Sequence, residues 1–104
     1  MIIEHCGNEY DVTPVATRYM NDNLAVLLFE PDREEFGALT VNLGDDLPPD
    51  TGYLDTNNLP DAEGFVLRHG IATYTGEFRG SGFCTYPLYR FDMGRLVAIE
   101  EMWA

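Results

Sequence analysis

The chain has 104 residues, 45% of them hydrophobic, which is typical of one compact domain. Eighteen acidic residues stand against six arginines and no lysine, so the formal net charge is −12. A charge of this sign and size repels phosphates, which excludes naked nucleic acid and anionic membranes as direct partners. No apolar stretch approaches the roughly 18–20 residues that cross a bilayer. The first residues show no pattern of a signal peptide, so we expect a cytoplasmic protein.

The first half of the chain predicts strands joined by polar turns, because apolar segments end at glycine, proline, asparagine or aspartate. The run Leu24–Phe29 is wholly apolar and indicates a central strand buried on both faces, with Val26 and Leu28 toward one of them. The other predicted strands are residues 2–6, 9–20, 38–43 and a short extension at 53–54. The predicted turns are 7–8, 21–23 and 31–35, and residues 44–52 are predicted to form an exposed acidic loop.

The second half predicts one helix and further strands. Pro60 suits the first turn of a helix and Gly70 its end, so we predict a helix over residues 60–69. Strands at 71–75 and 83–91 flank a glycine-rich connection at 76–82, and either a helix or a strand follows Asp92. The whole chain, residues 1–104, is then a single α+β domain. We expect a mainly antiparallel sheet of five or six strands with one or two short helices.

Residue types with catalytic chemistry are present, but their order does not match a known motif. Residues 76–83 lack the Gly-x-x-x-x-Gly-Lys-Ser/Thr order of a phosphate loop, and we interpret them as a hairpin loop whose glycines adopt positive φ. Ser81, Cys84 and His69 offer a nucleophile and a base, but no Gly-x-Ser-x-Gly elbow is present. We therefore expect no enzyme activity and no cofactor.

Candidate metal ligands also lack the spacing of known sites. The oxygens of residues 55–58 could bind a divalent cation weakly, but turn and capping chemistry explains the same residues. Cys6 and Cys84 form no Cys-x-x-Cys motif, and His5 and His69 are not spaced as a zinc pair. We interpret both cysteines as small buried hydrophobic residues and expect no bound metal.

The negative charge is concentrated in the first two-thirds of the chain. Residues 1–66 contain 14 acidic residues and two arginines, whereas residues 67–104 sum to zero. Solubility alone would not require this asymmetry, so it favours a directed acidic face. Acidic residues two apart on a strand, such as Glu9 with Asp11 and Glu30 with Asp32, are about 6.5–7 Å apart and could imitate successive phosphates. Loops project furthest, so the candidate contact residues are Asp32, Glu34, Glu35, Asp45, Asp46 and Asp50.

Three segments resemble a family of short bacterial proteins that is defined only as a domain of unknown function. They are Ala-Leu-Thr-Val-Asn-Leu at 38–43, Asp-Thr-Asn-Asn-Leu-Pro at 55–60 and Ser-Gly-Phe-Cys-Thr-Tyr-Pro-Leu-Tyr at 81–89. The resemblance implies a context of conjugative elements and phages, in which small acidic proteins often inhibit host restriction or CRISPR nucleases. It carries no catalytic residues over to this chain.

Charge and resemblance together predict an acidic inhibitor, with anti-CRISPR or antirestriction activity. It would bind the basic surface of a bacterial defence nuclease and block nucleic acid, acting as a DNA mimic. The alternative is a non-catalytic accessory or interaction module of a mobile genetic element, in which acidity serves solubility. Within the block at 81–89 we predict that Phe83, Tyr86 and Tyr89 brace the sheet, with at least one of the two tyrosines exposed.

The cysteines give a prediction that intact mass can test. In a reducing cytosol Cys6 and Cys84 are expected to remain thiols without zinc. Mass spectrometry under non-reducing conditions, with metal analysis, should find the fully reduced mass and no stoichiometric metal. A mass lower by about two hydrogens would instead indicate a disulfide.

Overall fold

Ten strands and two short helices make up the computed structural model of the chain, which describes residues 1–103. The strands are β1 (Ile2–His5), β2 (Asn8–Asp11), β3 (Thr13–Arg18), β4 (Leu24–Phe29), β5 (Glu35–Ala38), β6 (Thr40–Val41), β7 (Thr51–Leu54), β8 (Ala72–Ser81), β9 (Cys84–Phe91) and β10 (Val97–Ala98). The helices are α1 (Ala62–Arg68) and α2 (Ile99–Met102), and a 3₁₀ turn at Met93–Arg95 precedes β10.

The strands form three sheets. β1 and β2 pair as a hairpin, a second sheet has the order β10-β3-β4-β5, and a third has the order β6-β7-β9-β8. Every pairing is antiparallel except that of β10 with β3, which is parallel. The predicted α+β class, with mainly antiparallel strands and two short helices, is confirmed. The strands outnumber the expected five or six because two predicted strands each divide between sheets, the short extension predicted at 53–54 is a strand of its own, and β10 forms after Asp92.

Both divisions occur at a buried residue. The predicted strand 9–20 divides at Val12, so that β2 pairs with β1 and β3 pairs with β4. The predicted strand at 38–43 divides at Leu39, which is fully buried between the second and third sheets. Its N–H donates to the carbonyl of Val26 at 2.8 Å, and its own carbonyl accepts from the N–H of Asp55 at 2.9 Å. Leu39 therefore joins the two sheets through both of its backbone polar groups.

The first hairpin turns one residue earlier than predicted. Its central residues are Cys6 and Gly7, with φ of 50° and 80°, and His5 pairs directly with Asn8. Positive φ at both central positions is the requirement of the two-residue type I′ turn, whose twist matches that of the flanking strands. Cys6 is exposed at this turn, so the prediction that it is a buried hydrophobic residue is wrong.

β4 is an inner strand between β3 and β5, as predicted, and all of its residues except the half-buried Leu27 are buried. Val26 and Leu28 belong to the main core on one face. On the other face Phe29 packs edge to face against Trp103, with ring centroids 6.0 Å apart. Both faces are therefore covered, which explains why this strand needs no polar residue.

Helix α1 matches the prediction at 60–69 within two residues, and Phe65 and Val66 are its buried contacts. Asp61 stands at its N-terminus and binds Arg68 through two hydrogen bonds, of 2.6 and 2.9 Å. The same carboxylate accepts the N–H of Glu4 at 2.9 Å, which attaches the first hairpin to the helix. The bond from Arg68 lowers the pKa of Asp61. The ion pair of Asp61 with Arg68 therefore stabilises the fold at pH values above the ordinary carboxyl pKa. This stabilisation is lost as the pH falls through the lowered pKa of Asp61.

The glycine-rich segment at 76–82 continues β8 instead of forming the predicted connection. β8 extends to Ser81, which pairs with Cys84, and Gly82 and Phe83 form the turn. Gly76, at φ of 90°, lies in an irregularity of the pairing between β8 and β9. The Phe83 side chain is fully exposed, at 110% of its reference area, so the prediction that it braces the sheet is wrong.

The two tyrosines of β9 are both buried, contrary to the expectation that one is exposed. They do point to opposite faces of the sheet, but each face is covered. Tyr89 lies in the main core, whereas Tyr86 packs with Tyr53 and Leu88 in a second cluster. Leu43, from the end of the predicted strand 38–43, and Leu47, from the segment predicted to be an exposed loop, pack against that second cluster.

The C-terminal part contains both elements left open by the sequence. The Asp92 carboxylate accepts the N–H of Gly94 at 3.1 Å and caps the 3₁₀ turn. β10 then aligns Val97 with Val15 of β3, and α2 follows at once. Within residues 1–103, neither helix has the length and apolar character needed to cross a membrane.

Two apolar residues of α1 give a matched stability test. Phe65 is fully buried, whereas Leu67 is 60% exposed on the same helix. Phe65→Ala should lower the free energy of unfolding by about 3–5 kcal/mol, because it removes buried area and leaves a cavity. Leu67→Ala should change it by about 0.5 kcal/mol or less. Urea unfolding followed by circular dichroism measures both values, and equal losses would contradict this packing of the helix.

Candidate functional site

The first acidic element is the turn between β4 and β5 together with the first residue of β5, residues 30–35, which we call the acidic turn. The N–H of Glu30 donates to the carbonyl of Glu34 at 2.8 Å, and the N–H of Arg33 returns to the carbonyl of Glu30 at 2.9 Å. Asp32 accepts the N–H of Glu34 at 3.0 Å, and Arg33 adopts a φ of 68°. These bonds fix the turn, so its acidic side chains project from a closed backbone.

Three carboxylates of the acidic turn converge. Oxygens of Glu30, Asp32 and Glu34 lie within 4.8 Å of one another. The strand-like spacing expected for Glu30 and Asp32 is therefore wrong, because these residues belong to a turn. Oxygen ligands of this kind suit Ca²⁺ or Mg²⁺, but exposed acidic groups are common without an ion, and this cluster alone does not define a metal site.

The first hairpin contributes a second pair of acidic residues. Glu4 of β1 lies directly opposite Glu9 of β2, and both side chains are exposed. Like charges directly opposite each other on a sheet disfavour the pairing, so stability alone does not account for them. Glu9 and Asp11 keep the predicted alternation along β2.

Aromatic packing brings this hairpin beside the acidic turn. Phe36, which follows Glu35, lies 4.8 Å from the ring of Tyr10 and 5.8 Å from that of His5, between centroids. Alternation along each strand then directs Glu4, Glu9 and Glu35 away from these rings, whereas Asp32 and Glu34 are exposed in the turn. We call the resulting group the acidic surface, and it consists of Glu4, Glu9, Asp32, Glu34 and Glu35.

Two arginines lie near the acidic surface: Arg33, which stands in the acidic turn between Asp32 and Glu34 and forms no ion pair among residues 1–103, and Arg68. The bonds with Asp61, and then the charges of Glu4 and Glu9, raise the pKa of Arg68. Its guanidinium is bound to the Asp61 carboxylate, however, and not to either glutamate. Among residues 1–103, no member of the acidic surface takes part in an ion pair.

The second predicted acidic element is largely neutralised. Residues 43–50 fold over the third sheet, where Asp45 forms an ion pair with Arg79 and accepts the hydroxyl of Tyr53 at 2.8 Å. Asp50 pairs with Arg90 at 3.3 Å. The prediction of an exposed acidic loop is therefore wrong for Asp45 and Asp50, which hold the loop in place, whereas Asp46 is exposed.

The six predicted contact residues thus fall into two groups. Asp32, Glu34 and Glu35 project from the acidic turn, and Asp45, Asp46 and Asp50 belong to the loop over the third sheet. In the described part of the chain no hydrogen bond or ion pair joins the two groups. Sequence reasoning paired Glu9 with Asp11 as a possible imitation of phosphates but did not count it among the contact residues, and it missed Glu4, although both glutamates flank a hairpin turn. It also missed which acids the arginines neutralise.

The residues with catalytic chemistry are not brought together. Ser81 and Cys84 lie at the tip of the β8–β9 hairpin, ten residues of strand beyond the start of β8. A strand of that length spans roughly 30 Å. His69 stays at the end of α1, where its Nε2 lies 3.1 Å from the carbonyl oxygen of Ile2. Asp55 accepts from the backbone and side-chain amides of Asn58 at 3.2 and 2.8 Å, which confirms turn chemistry for that segment.

One half-buried carboxylate contact was also not foreseen. The hydroxyl of Tyr89 donates to Glu63 at 2.5 Å, which connects β9 to the first turn of α1. Burial, and then this bond to Glu63, raise the pKa of the Tyr89 hydroxyl well above its ordinary value. The hydroxyl therefore stays protonated and acts as a structural donor, not as an acid or base near neutral pH.

Comparison with known proteins yields one match. The profile of a family described as "Domain of unknown function (DUF4313)" matches residues 14–102. No curated protein and no solved structure matches the chain. The matched range includes all three segments on which the resemblance depends.

Adjacent aspartates of the loop give a test of the neutralised group. Asp45→Asn removes an ion pair and weakens the bond from Tyr53, so the free energy of unfolding should fall by about 1–2 kcal/mol. Asp46→Asn removes the same charge from an exposed side chain and should leave stability unchanged or raise it slightly. Thermal unfolding at low and high salt checks both. An equal response of the two variants would contradict the structural role assigned to Asp45.

Proposed function

The chain belongs to the DUF4313 family, and from that premise we propose that it is an acidic inhibitor of a bacterial defence nuclease. The acidic surface binds the basic, nucleic-acid-binding surface of a CRISPR effector or restriction enzyme and keeps DNA away from it. The protein has no catalytic role and no cofactor in this proposal, and it acts in the cytoplasm, where such nucleases meet foreign DNA.

One observation carries the proposal: the acidic surface is left without ion pairs although arginines are available. Five ion pairs form within residues 1–103, and none involves this surface. Its five carboxylates are exposed and stand on two elements that aromatic packing holds together. A rigid group of unpaired charges loses little conformational entropy when it binds, which favours a complementary basic surface.

A nucleic-acid-binding surface is the basic surface that fits best. Lysine and arginine side chains that contact phosphates carry little sequence information, so they discriminate poorly between phosphates and carboxylates. Mimicry here uses the clustered turn together with Glu4 and Glu9, and not a single strand of evenly spaced acids. The mobile-element context implied by the family resemblance supplies the biological reason for inhibiting a defence nuclease.

The alternative is a non-catalytic accessory or interaction module of a mobile genetic element. The ion pairs of Asp45 and Asp50 favour it in part, because they show that some of the acidity serves the fold. In that case the charge of the acidic surface would affect solubility and little else. The two functions differ in one measurable property, which is competition with DNA.

Competition with labelled DNA tests the proposed function. Purified guided and unguided nucleases are screened for displacement of DNA by the wild-type chain, in a series of salt concentrations. For the nuclease that responds, the triple variant Glu9→Gln, Glu34→Gln and Glu35→Gln should displace DNA about tenfold less effectively or worse, because three surface charges are lost. The displacement by the wild-type chain should weaken as salt screens the charges.

A charge-matched variant separates the surface from the net charge. Asp22→Asn, Glu100→Gln and Glu101→Gln also removes three exposed acids, none of which belongs to the acidic surface. This control should displace DNA as well as the wild-type chain, and both triple variants should unfold at similar temperatures. If a nuclease binds this protein and DNA together without mutual weakening, the mimicry is excluded. If no nuclease responds, the accessory module becomes the better account.

A further inference from the structure

The end of the β8–β9 hairpin exposes apolar side chains that the fold does not use. Phe83 occupies its turn at 110% relative exposure, and Phe78 of β8 is 66% exposed. Between Phe78, Tyr74 and Pro87 lies an open groove of about 330 Å³. β8 is the outer strand of its sheet, so no strand among the described residues covers this end. We call Phe78 and Phe83, with the groove, the aromatic end.

The exposed positions of the Phe78 and Phe83 rings do not add to the stability of the fold. Burial of a phenylalanine side chain is worth about 1.5–3 kcal/mol, which this chain does not gain at Phe83. The hairpin itself is held by other contacts, because Arg79 donates to the carbonyl of Leu43 at 3.2 Å and pairs with Asp45. A rigid support beneath exposed aromatic rings is typical of the central contacts in protein interfaces.

The surroundings of the aromatic end are negative. Glu77 directly precedes Phe78 on β8, and Asp46 follows Asp45, which pairs with Arg79 on the other side of Phe78; Glu77 and Asp46 are both exposed and form no ion pair among residues 1–103. Arg79 balances Asp45, so Asp46 and Glu77 leave this region with a charge of about −2. The complementary surface is therefore an apolar pocket with a basic rim.

We propose that the aromatic end is a second contact with the same basic nuclease, and that Phe83 inserts into an apolar pocket beside its nucleic-acid channel. This inference rests on the proposed function. The charges of the acidic surface would then determine the association rate and the orientation of binding, and the aromatic end would slow dissociation.

The dimensions permit both contacts on one partner. The longest extent of the chain is 34 Å, whereas a channel that holds about 20 base pairs is roughly 70 Å long. A second copy of this chain fits less well, because each copy carries a charge of −12 and the aromatic ends would approach with like charges. An anionic membrane is disfavoured for the same reason.

Dissociation kinetics test the proposal with the nuclease found in the DNA-displacement screen. Phe83→Ala should dissociate at least tenfold faster, while the salt dependence of association stays that of the wild-type chain. The control is Met20→Ala, because Met20 is an equally exposed apolar residue, at 105%, in a different turn. It should dissociate like the wild-type chain, and neither substitution should change the melting temperature.

Three other results would overturn the inference in distinguishable ways. If the wild-type chain displaces DNA and Phe83→Ala dissociates at the wild-type rate, the aromatic end is not a contact and the proposed function stands. If the wild-type chain displaces DNA from no nuclease, the proposed function fails, and this inference with it. If light scattering finds a wild-type dimer that Phe83→Ala converts to a monomer, the occupant is a second copy.

Discussion

The small number of positively charged residues determines which acidic residues of this structure form ion pairs. Eighteen acids share six arginines, so most carboxylates have no cation to bind. Two arginines that form ion pairs join separate segments of the chain: Arg68 holds the start of α1 beside the first hairpin, and Arg79 fixes the loop over the third sheet. Arg18 binds the carbonyl of Pro49 at 2.6 Å instead of a carboxylate. Acidic residues that do not connect two segments of the chain face solvent.

This division separates two uses of the same residue type. A carboxylate bound by an arginine loses conformational freedom and much of its electrostatic field. It then serves as a contact that holds two segments of the fold together. An exposed carboxylate keeps its electrostatic field but costs stability through repulsion, as where Glu4 faces Glu9. The fold tolerates that repulsion on elements whose apolar sides pack well. The acids that hold the fold together and the acids of the proposed binding surface are thus different residues of one chain.

The sequence predicted features that depend on local pattern. β4, α1 and the stop at Gly70 follow from apolar periodicity and capping, and the structure has them where they were expected. It could not predict that Leu39 transfers the chain from one sheet to another, because that depends on which strands lie side by side. For the same reason the sequence did not reveal the ion pair of Asp45 with Arg79, 34 residues away. The loop that contains Asp45 was therefore predicted to project into solvent, whereas it folds over the third sheet.

The exposed Phe83 was misjudged on different grounds. An aromatic residue in a strand-like pattern is usually buried, and only its position in the turn of a long hairpin places it outside the core. Tyr86 and Tyr89 show the converse, since alternation correctly put them on opposite faces but gave no sign that both faces are covered. Pattern gives the direction of a side chain, whereas its burial depends on distant segments.

The parallel pairing of β10 with β3 has a consequence for synthesis on the ribosome. Val15 pairs with Val97, 82 residues later, so the outer edge of β3 stays open until β10 has emerged. Until then a nascent chain presents β3 and the apolar β4 with unpaired backbone groups at one edge, which is a template for aggregation. Rapid translation as far as β10, or a chaperone bound near the exit tunnel, would shorten that interval. Yield in cells should therefore be more sensitive to changes at Val97 than the stability of the finished protein is.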